Sequence, residues 1–175
     1  MEFSVESIKE LRNLTSASMA ECKKALVETH GDIPKSVILL RKRGLEIAAK
    51  KGERNAREGR IEAYVHHGNK VGVLLEVNCE TDFVAKSPDF VAFTKDLVLH
   101  ITASSPSYIK KEDVPADVLA ALDDKEKEKY YKEHCLFDQP FVKDPSISVN
   151  DYMGSIVAKM GEKIVVHRFA RYKIG

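Results

Sequence analysis

Two adjacent residues, Asp82 and Phe83, place a carboxylate beside a large aromatic ring between two regular elements. They follow the apolar run VGVLLEV and precede a segment from Pro88 whose spacing predicts a helix with a buried side formed by Phe90, Phe93, Leu97 and Ile101. Glu80 lies close by, so a pair of carboxylates for acid–base chemistry is one interpretation. No histidine lies near them in the sequence, which argues against catalysis at this point. A buried aromatic at the end of a strand is the other ordinary interpretation.

Other residues that could do chemistry are not arranged for it. The sequence has no phosphate-binding GxxxxGK[ST] or GxGxxG motif, no GxSxG and no HExxH. His66 and His67 are adjacent and would point to opposite faces of a strand, so they would not share a metal ion. Cys22, Cys79 and Cys135 are far apart, without a CxxC pair. We therefore predict no enzyme activity, no metal site, no cofactor and reduced thiols.

The composition sets the broad class of the protein. The chain has 175 residues, of which 43% are hydrophobic, and a net charge of +1. This suits one domain, or a small domain joined to a medium one. No apolar run approaches the roughly 20 residues of a membrane span, and the start, MEFSVESIKE, lacks the pattern of a signal peptide. We expect a cytoplasmic protein without membrane contact.

Three short helices are predicted in about the first 45 residues. Ser4 can cap the first helix, and Ser18 and Glu21 have the spacing of a capping box at the second. Asp32 can cap the third helix, which Gly44 is expected to end. The positions expected to face inward are Val5, Ile8, Leu11, Met19, Cys22, Ala25, Leu26, Val37, Ile38 and Leu40.

A basic stretch at 41–60, with eight Lys or Arg against three Glu, is interpreted as a helical linker. We place a domain boundary near residue 55, between an N-terminal helical domain with its linker (1–55) and a core domain (56–175). The core pattern predicts the order β-β-α-α-α-β, with a charged helical excursion around 114–138. The predicted class is α+β: a small three-helix domain followed by a core with a small antiparallel sheet.

Four collinear segments resemble the bacterial elongation factor Ts family. They are IKELRNLTSASMAECKKAL, EVNCETDFVA, QPFVKDP and KMGEKIVVHRF, and together they cover nearly the whole chain. The resemblance implies a compact form with an N-terminal domain similar to ubiquitin-associated domains. It also implies guanine-nucleotide exchange on elongation factor Tu during translation elongation, with no cofactor and no direct contact with nucleic acid.

The resemblance also implies which residues contact elongation factor Tu. In the TDFV segment, Phe83 would insert beside the switch region and magnesium site of the G domain, and Asp82 would hold it in place. The N-terminal unit would dock on the same domain, the turn at 160–162 would press near the phosphate loop, and 141–142 would reach a more distal domain. The full set of implied contact residues is Thr81, Asp82, Phe83, Val84, Arg12, Met19, Lys23, Met160, Gly161, Glu162, Phe141 and Val142.

The chain departs from the family pattern in two respects. It has length for one half of the core found in long members, and compact members can pair two chains, so a homodimer through the terminal sheet is a hypothesis. No cysteine lies in VVHRFARYKIG, which excludes a disulfide there. Ser16 and Ser18 stand where members often have Gly, and Ala20 where they have a bulky apolar residue.

Other classes of protein remain as alternatives. A nucleic-acid-binding module could use the basic stretch 41–60 to track phosphates, although the whole-chain charge and the lack of interleaved aromatic residues argue against it. A ubiquitin-binding adaptor would account for the three helices and leave the TDFVA segment unexplained.

Overall fold

The computed structural model describes residues 4–15, 17–50 and 55–175. The helices are α1 (Val5–Thr15), α2 (Met19–Glu28), α3 (Ile33–Lys50), α4 (Asp82–Ala85), α5 (Pro88–Ser104), α6 (Ala116–Ala120), α7 (Asp124–His134) and α8 (Val149–Met160). The strands are β1 (Glu58–Val65), β2 (Val71–Cys79), β3 (Pro140–Phe141), β4 (Asp144–Ser148) and β5 (Val165–Lys173). Three N-terminal helices thus precede an α+β region with small antiparallel sheets, which confirms the predicted class.

The chain divides into two compact units. The first combines the N-terminal helices with Asp151–Ile164, and the second comprises Ala56–Asn150 and Val165–Gly175. Helix α8 therefore lies mostly in the first unit although it is distant from α1–α3 in the sequence. The two predicted domains, 1–55 and 56–175, are each continuous in the sequence, and this division stays a prediction.

The first unit has its core where α1, α2 and α3 meet. Ile8, Leu11, Cys22, Leu26 and Leu40 are buried there, as the helical spacing predicted. Burying leucine and isoleucine side chains of this size contributes about 1.5–3 kcal/mol each.

Some predictions for the helical unit are wrong in detail. Val5, Met19 and Ile38 are exposed. On α3 the inward positions are Ser36, Leu40 and Gly44, four residues apart, and this spacing leaves Ile38 on the solvent side.

The capping box at α2 forms only in part. Ser18 accepts a hydrogen bond from the backbone N–H of Glu21 at 3.2 Å. The Glu21 carboxylate instead pairs with Lys24 at 3.0 Å and lies 3.6 Å from Arg43 of α3. The side chain that was expected to cap its own helix therefore joins two helices.

Gly44 does not end α3, which continues to Lys50. A Cβ atom at this position would overlap the backbone carbonyl oxygen of Gly154 in α8. The prediction was wrong because glycine serves here to let two helices approach closely, a role that is not visible without knowing that α8 is the neighbour. The cost of glycine inside a helix is about 1 kcal/mol.

The second unit is built on a three-stranded antiparallel sheet in the order β1-β2-β5. Helix α5 packs on one face, where Phe90, Phe93, Leu97 and Ile101 are fully buried. These are the residues that the helical spacing predicted. The inward residues of β2 alternate as Val73, Leu75, Val77 and Cys79. Because β2 is the central strand, its end fixes the position of the segment that follows it.

Strand β1 turns its polar side inward. Glu62 pairs with Arg60 at 2.7 Å and accepts a hydrogen bond from Thr94 of α5 at 3.2 Å. The apolar residues Ile61 and Val65 are exposed on the opposite face. The sequence shows the period-two pattern of a strand here, with Ile61, Ala63 and Val65 alternating with polar residues, but this pattern cannot tell which side of the strand faces the helix.

The segment between α5 and α8 differs from the prediction. The charged helical excursion predicted around 114–138 consists of two helices, α6 and α7, and a short 3-10 helix (Lys111–Asp113) precedes them. The predicted order of elements has no strand in the QPFVKDPS segment, which forms the antiparallel pair β3–β4 with the residues that follow it. Strands as short as β3 carry no detectable alternation, which explains why the pattern missed them.

We predict that Gly44→Ala destabilises the protein. The overlap with the Gly154 carbonyl costs about 1–3 kcal/mol, which exceeds the gain of about 1 kcal/mol from alanine's helix propensity. Urea unfolding checks this, with Lys42→Ala on the exposed side of α3 as the control. A raised unfolding midpoint for Gly44→Ala would contradict the close approach of α3 and α8.

Candidate functional site

The segment between β2 and α5 is a short, tightly fixed turn. Thr81 caps α4 by accepting a hydrogen bond from the backbone N–H of Val84 at 3.3 Å. Ser87 caps α5 by accepting one from Phe90 at 3.3 Å, and its hydroxyl donates to the Val84 carbonyl at 2.8 Å. Two successive caps leave few backbone groups free to rearrange. The sequence TDFVAKS therefore folds into one turn of helix with a defined direction.

Burial of two residues fixes the orientation of this turn. Val84 and Ala85 are each only 7% exposed and lie against the sheet unit. Cys79 at the end of β2 donates to the Thr81 carbonyl at 3.2 Å and is itself fully buried. Since Val84 and Ala85 occupy the inner side, the residues that precede them must face outward.

Phe83 is on the outer side and is 81% exposed, the largest exposed fraction among the large hydrophobic residues that the structure describes as exposed. Transferring an aromatic ring of this size from water to an apolar pocket is strongly favourable. Because the ring is exposed in the free chain, burying it in a partner would contribute this free energy to binding. The interpretation of Phe83 as a core residue does not hold in this structure.

Asp82 forms an ion pair with Lys86 one helical turn later, with 2.7 Å between Oδ2 and Nζ. The hydrogen bond from Lys86 lowers the pKa of Asp82, and Asp82 in turn raises the pKa of Lys86. Both side chains are exposed, so the pair contributes little to stability. Its effect is to orient the Asp82 carboxylate next to Phe83. Thr81 is the N-cap residue of α4, so the side chain of Asp82 does not cap this helix.

Lys86 is the residue that the sequence analysis did not single out. An acidic residue four positions before a lysine on a helix is a recognised signal for such a pair. Helix α4 has only four residues, which is too short for the spacing to stand out in a sequence.

The predicted contact residues of the first unit are accessible. Arg12 lies in the last turn of α1 and is exposed. Met19 and Lys23 are one turn apart on α2, so they share a face, and both are exposed. Met160 is the last residue of α8, and Gly161 and Glu162 follow it in the same unit; Gly161 is exposed, and Met160 and Glu162 are half-buried. Gly161 has a φ of 69°, the left-handed conformation typical of a helix end.

Phe141 and Val142 lie in the second unit, and their side chains differ in exposure. Phe141 is 4% exposed, whereas Val142 is 43% exposed. In this conformation Phe141 and Val84 can support a contact only through their neighbours. Thr81, Asp82 and Phe83 are exposed together on one turn.

Two kinds of site are not found in the described parts of the chain. No group of three or more His, Cys, Asp or Glu residues there could hold a metal ion. Within the same residues, no helix is both long enough and apolar enough to cross a membrane.

Comparisons with known proteins agree along the whole chain. The family model described as "Elongation factor TS" matches residues 2–128 and 126–175. A protein named elongation factor Ts from Caldanaerobacter subterraneus subsp. tengcongensis is 45% identical, over 98% of this chain and 96% of its own. Those of Herpetosiphon aurantiacus and Moorella thermoacetica are 44% and 46% identical, covering 100% and 96% of this chain and 99% and 93% of their own.

The fold and the site define a two-unit α+β protein that presents an exposed aromatic beside a fixed charge, an arrangement typical of a protein-binding surface. The length and identity of the matches are decisive about its family. The chain belongs to the elongation factor Ts family, in a short bacterial form, and has the role of a translation elongation factor.

We predict unequal stability effects for substitutions of the two neighbours Phe83 and Val84 at this turn. Phe83→Ala should change the free energy of unfolding by less than about 0.5 kcal/mol because the ring is exposed. Val84→Ala should cost about 1.5–2.5 kcal/mol because it removes buried methyl groups. Urea unfolding of both variants measures this. Equal losses would show that the ring of Phe83 is packed in solution.

Proposed function

We propose that the protein is the guanine-nucleotide exchange factor of elongation factor Tu. It would bind the GDP complex of that protein and promote GDP release by inserting Phe83 near the switch region and magnesium site. The observation that carries the proposal is the 81% exposure of Phe83 on a turn fixed at both ends. A side chain on such a turn needs little ordering when it binds, which favours penetration of a partner.

The physical basis of exchange is coupling between two ligands on one partner. GDP is held through its phosphates and a magnesium ion. A protein that stabilises a shape unfit for magnesium must weaken GDP, and by linkage GDP weakens the binding of that protein equally. The direction of exchange then comes from the excess of GTP and from the partner's next ligand. No covalent step is needed, so the proposal assigns the chain no enzymatic chemistry of its own.

Asp82 has a supporting role in this proposal. Its pairing with Lys86 lowers the pKa of the carboxylate and orients it next to Phe83. An oriented carboxylate can accept hydrogen bonds from the partner close to the place where Phe83 would insert. The short ion pair also restricts rotation of Asp82 before the partner arrives.

The remaining contacts would spread binding over both units. Arg12, Met19 and Lys23 would dock on the G domain, and the turn at 160–162 would lie near the phosphate loop. Val142 would reach a more distal domain. Translation elongation takes place in the cytoplasm, where we place the protein. Contact with nucleic acid is not part of the proposal.

Stopped-flow release of fluorescent GDP from elongation factor Tu tests the proposal. The wild-type chain should accelerate release by orders of magnitude, and Phe83→Ala should lose most of that acceleration because the inserted ring is gone. Ile38→Ala is a matched control, since it also truncates an exposed apolar side chain. Ile38→Ala should accelerate GDP release from elongation factor Tu as much as the wild type does.

Two results would count against the proposal. A wild-type chain without effect on GDP release would contradict the exchange function itself. An active wild type with an equally active Phe83→Ala would contradict only the role of the ring. In the first case, salt-dependent RNA binding by residues 41–60 becomes the next property to measure.

The outer face of the three-stranded sheet supports a second proposal, that two chains pair through it. We define this outer sheet face by Ile61, Val65, Leu74 and Tyr172, all exposed. Strand β1 directs its charged residues inward and its aliphatic residues outward, the reverse of a strand that faces water. A two-fold axis would bring the same apolar face of two chains together and bury it from water, so we commit to a second copy as its partner.

Sedimentation velocity tests the pairing. The wild type should form a dimer at tens of micromolar, and Leu74→Lys should shift it to monomer because a charge in the interface is unpaired. Ile38→Lys adds the same charge to the first unit and should leave the dimer intact. A wild type that sediments as a clean monomer at tens of micromolar would contradict the pairing.

A further inference from the structure

His100 is a buried histidine whose two ring nitrogens are both engaged. It lies in α5 and is 0% exposed. Its Nε2 is 2.9 Å from the side-chain oxygen of Gln139, and its Nδ1 is 3.2 Å from the backbone nitrogen of Val142. No step of the exchange proposal uses this residue. A buried polar ring with two defined partners needs an account of its own.

The partners determine which nitrogen of His100 carries the proton. The backbone N–H of Val142 can only donate, so Nδ1 must accept. The Gln139 amide nitrogen donates to the carbonyls of Glu133 at 2.8 Å and Ser104 at 3.3 Å, which leaves its oxygen to face the ring. His100 is therefore neutral, with its proton on Nε2. Burial lowers the pKa of His100, in agreement with this geometry.

The hydrogen bond to Val142 is one of three successive attachments of the same hairpin to α5. The ring of Phe141 packs on the ring of His100, with centroids 6.0 Å apart at 34°. Lys143 forms an ion pair with Asp96, one helical turn before His100, at 2.5 Å. Phe141 is buried and Lys143 reaches back to α5, and between them the side chain of Val142 is exposed. Of the two α5 residues that hold this hairpin, His100 and Asp96, only His100 bonds the backbone of Val142.

We propose that His100 is a positioning residue for partner binding: its unprotonated Nδ1 fixes the Val142 backbone so that the Val142 side chain faces outward. The role rests on the proposed function, in which Val142 reaches a distal domain of elongation factor Tu. His100 does not touch the partner. It acts through the hairpin, and therefore affects how tightly the chain binds and leaves the insertion of Phe83 unchanged.

Two substitutions separate the two hydrogen bonds of His100. In His100→Asn the side-chain oxygen can take the place of Nδ1 and accept from Val142, whereas the bond to Gln139 is lost. In His100→Gln the amide nitrogen can take the place of Nε2 and donate to Gln139, whereas the acceptor for Val142 is lost. Each variant removes one buried hydrogen bond, so both should lose stability by similar amounts.

The concentration of chain that gives half-maximal GDP release distinguishes the variants. We expect His100→Gln to raise it roughly 5- to 10-fold, in line with a lost hydrogen bond that orients a contact. His100→Asn should remain within about 2-fold of the wild type, and the maximal rate should be unchanged in both, because only the acceptor for Val142 differs. Thr102→Val removes a buried hydrogen bond to Val98 from the same helix and should behave as the wild type.

Equal behaviour of the two His100 variants would overturn the positioning role while leaving the exchange function intact. A wild-type chain that does not accelerate GDP release would instead contradict the proposed function. Should both variants fail to fold, the ¹⁵N chemical shifts of the wild-type imidazole decide. A proton on Nε2 with a hydrogen-bonded Val142 amide supports the role, and a proton on Nδ1 overturns it.

Discussion

The burial of Val84 and Ala85 is the interaction on which the candidate site depends. These two small apolar residues pack against the sheet unit, and the caps Thr81 and Ser87 close the backbone on either side of them. With the inner side occupied, Phe83 has no place in the core and must point to solvent. The ring is therefore exposed because its neighbours Val84 and Ala85 are buried. Their burial fixes the direction in which the ring points. The central strand β2 precedes the turn and helix α5 follows it, so both ends of the turn are attached to regular elements of the unit.

A preorganised apolar side chain explains how binding alone could accelerate nucleotide exchange. The free energy of burying an aromatic ring is available only in a partner conformation that opens a pocket for it. If that conformation binds magnesium and GDP poorly, the burial energy is converted into faster GDP release. Contacts on the first unit and at Val142 would then supply affinity, while the turn would supply the coupling.

The sequence indicated the elements well where periodicity was long and one-sided. Phe90, Phe93, Leu97 and Ile101 on α5, and Leu11, Leu26 and Leu40 in the first unit, are buried as their spacing predicted. It failed where the answer depended on a distant neighbour. Gly44 was interpreted as a helix end because its partner Gly154 lies 110 positions later in the sequence. The same limit applies to the candidate site: the resemblance implied that both Phe83 and Val84 contact a partner, but the residue pattern alone did not show that Phe83 is exposed and Val84 buried.

In the proposed mechanism, Phe83 couples binding of the chain to release of GDP, in addition to contributing to the affinity. The most direct test measures the dissociation constant of the chain for elongation factor Tu with GDP bound and without nucleotide, for the wild type and for Phe83→Ala. The wild type should bind the nucleotide-free form far more tightly. Phe83→Ala should reduce that ratio while retaining much of its affinity for the GDP form. A ratio that is the same in both proteins would contradict the account, because Phe83 would then bind both states of the partner equally.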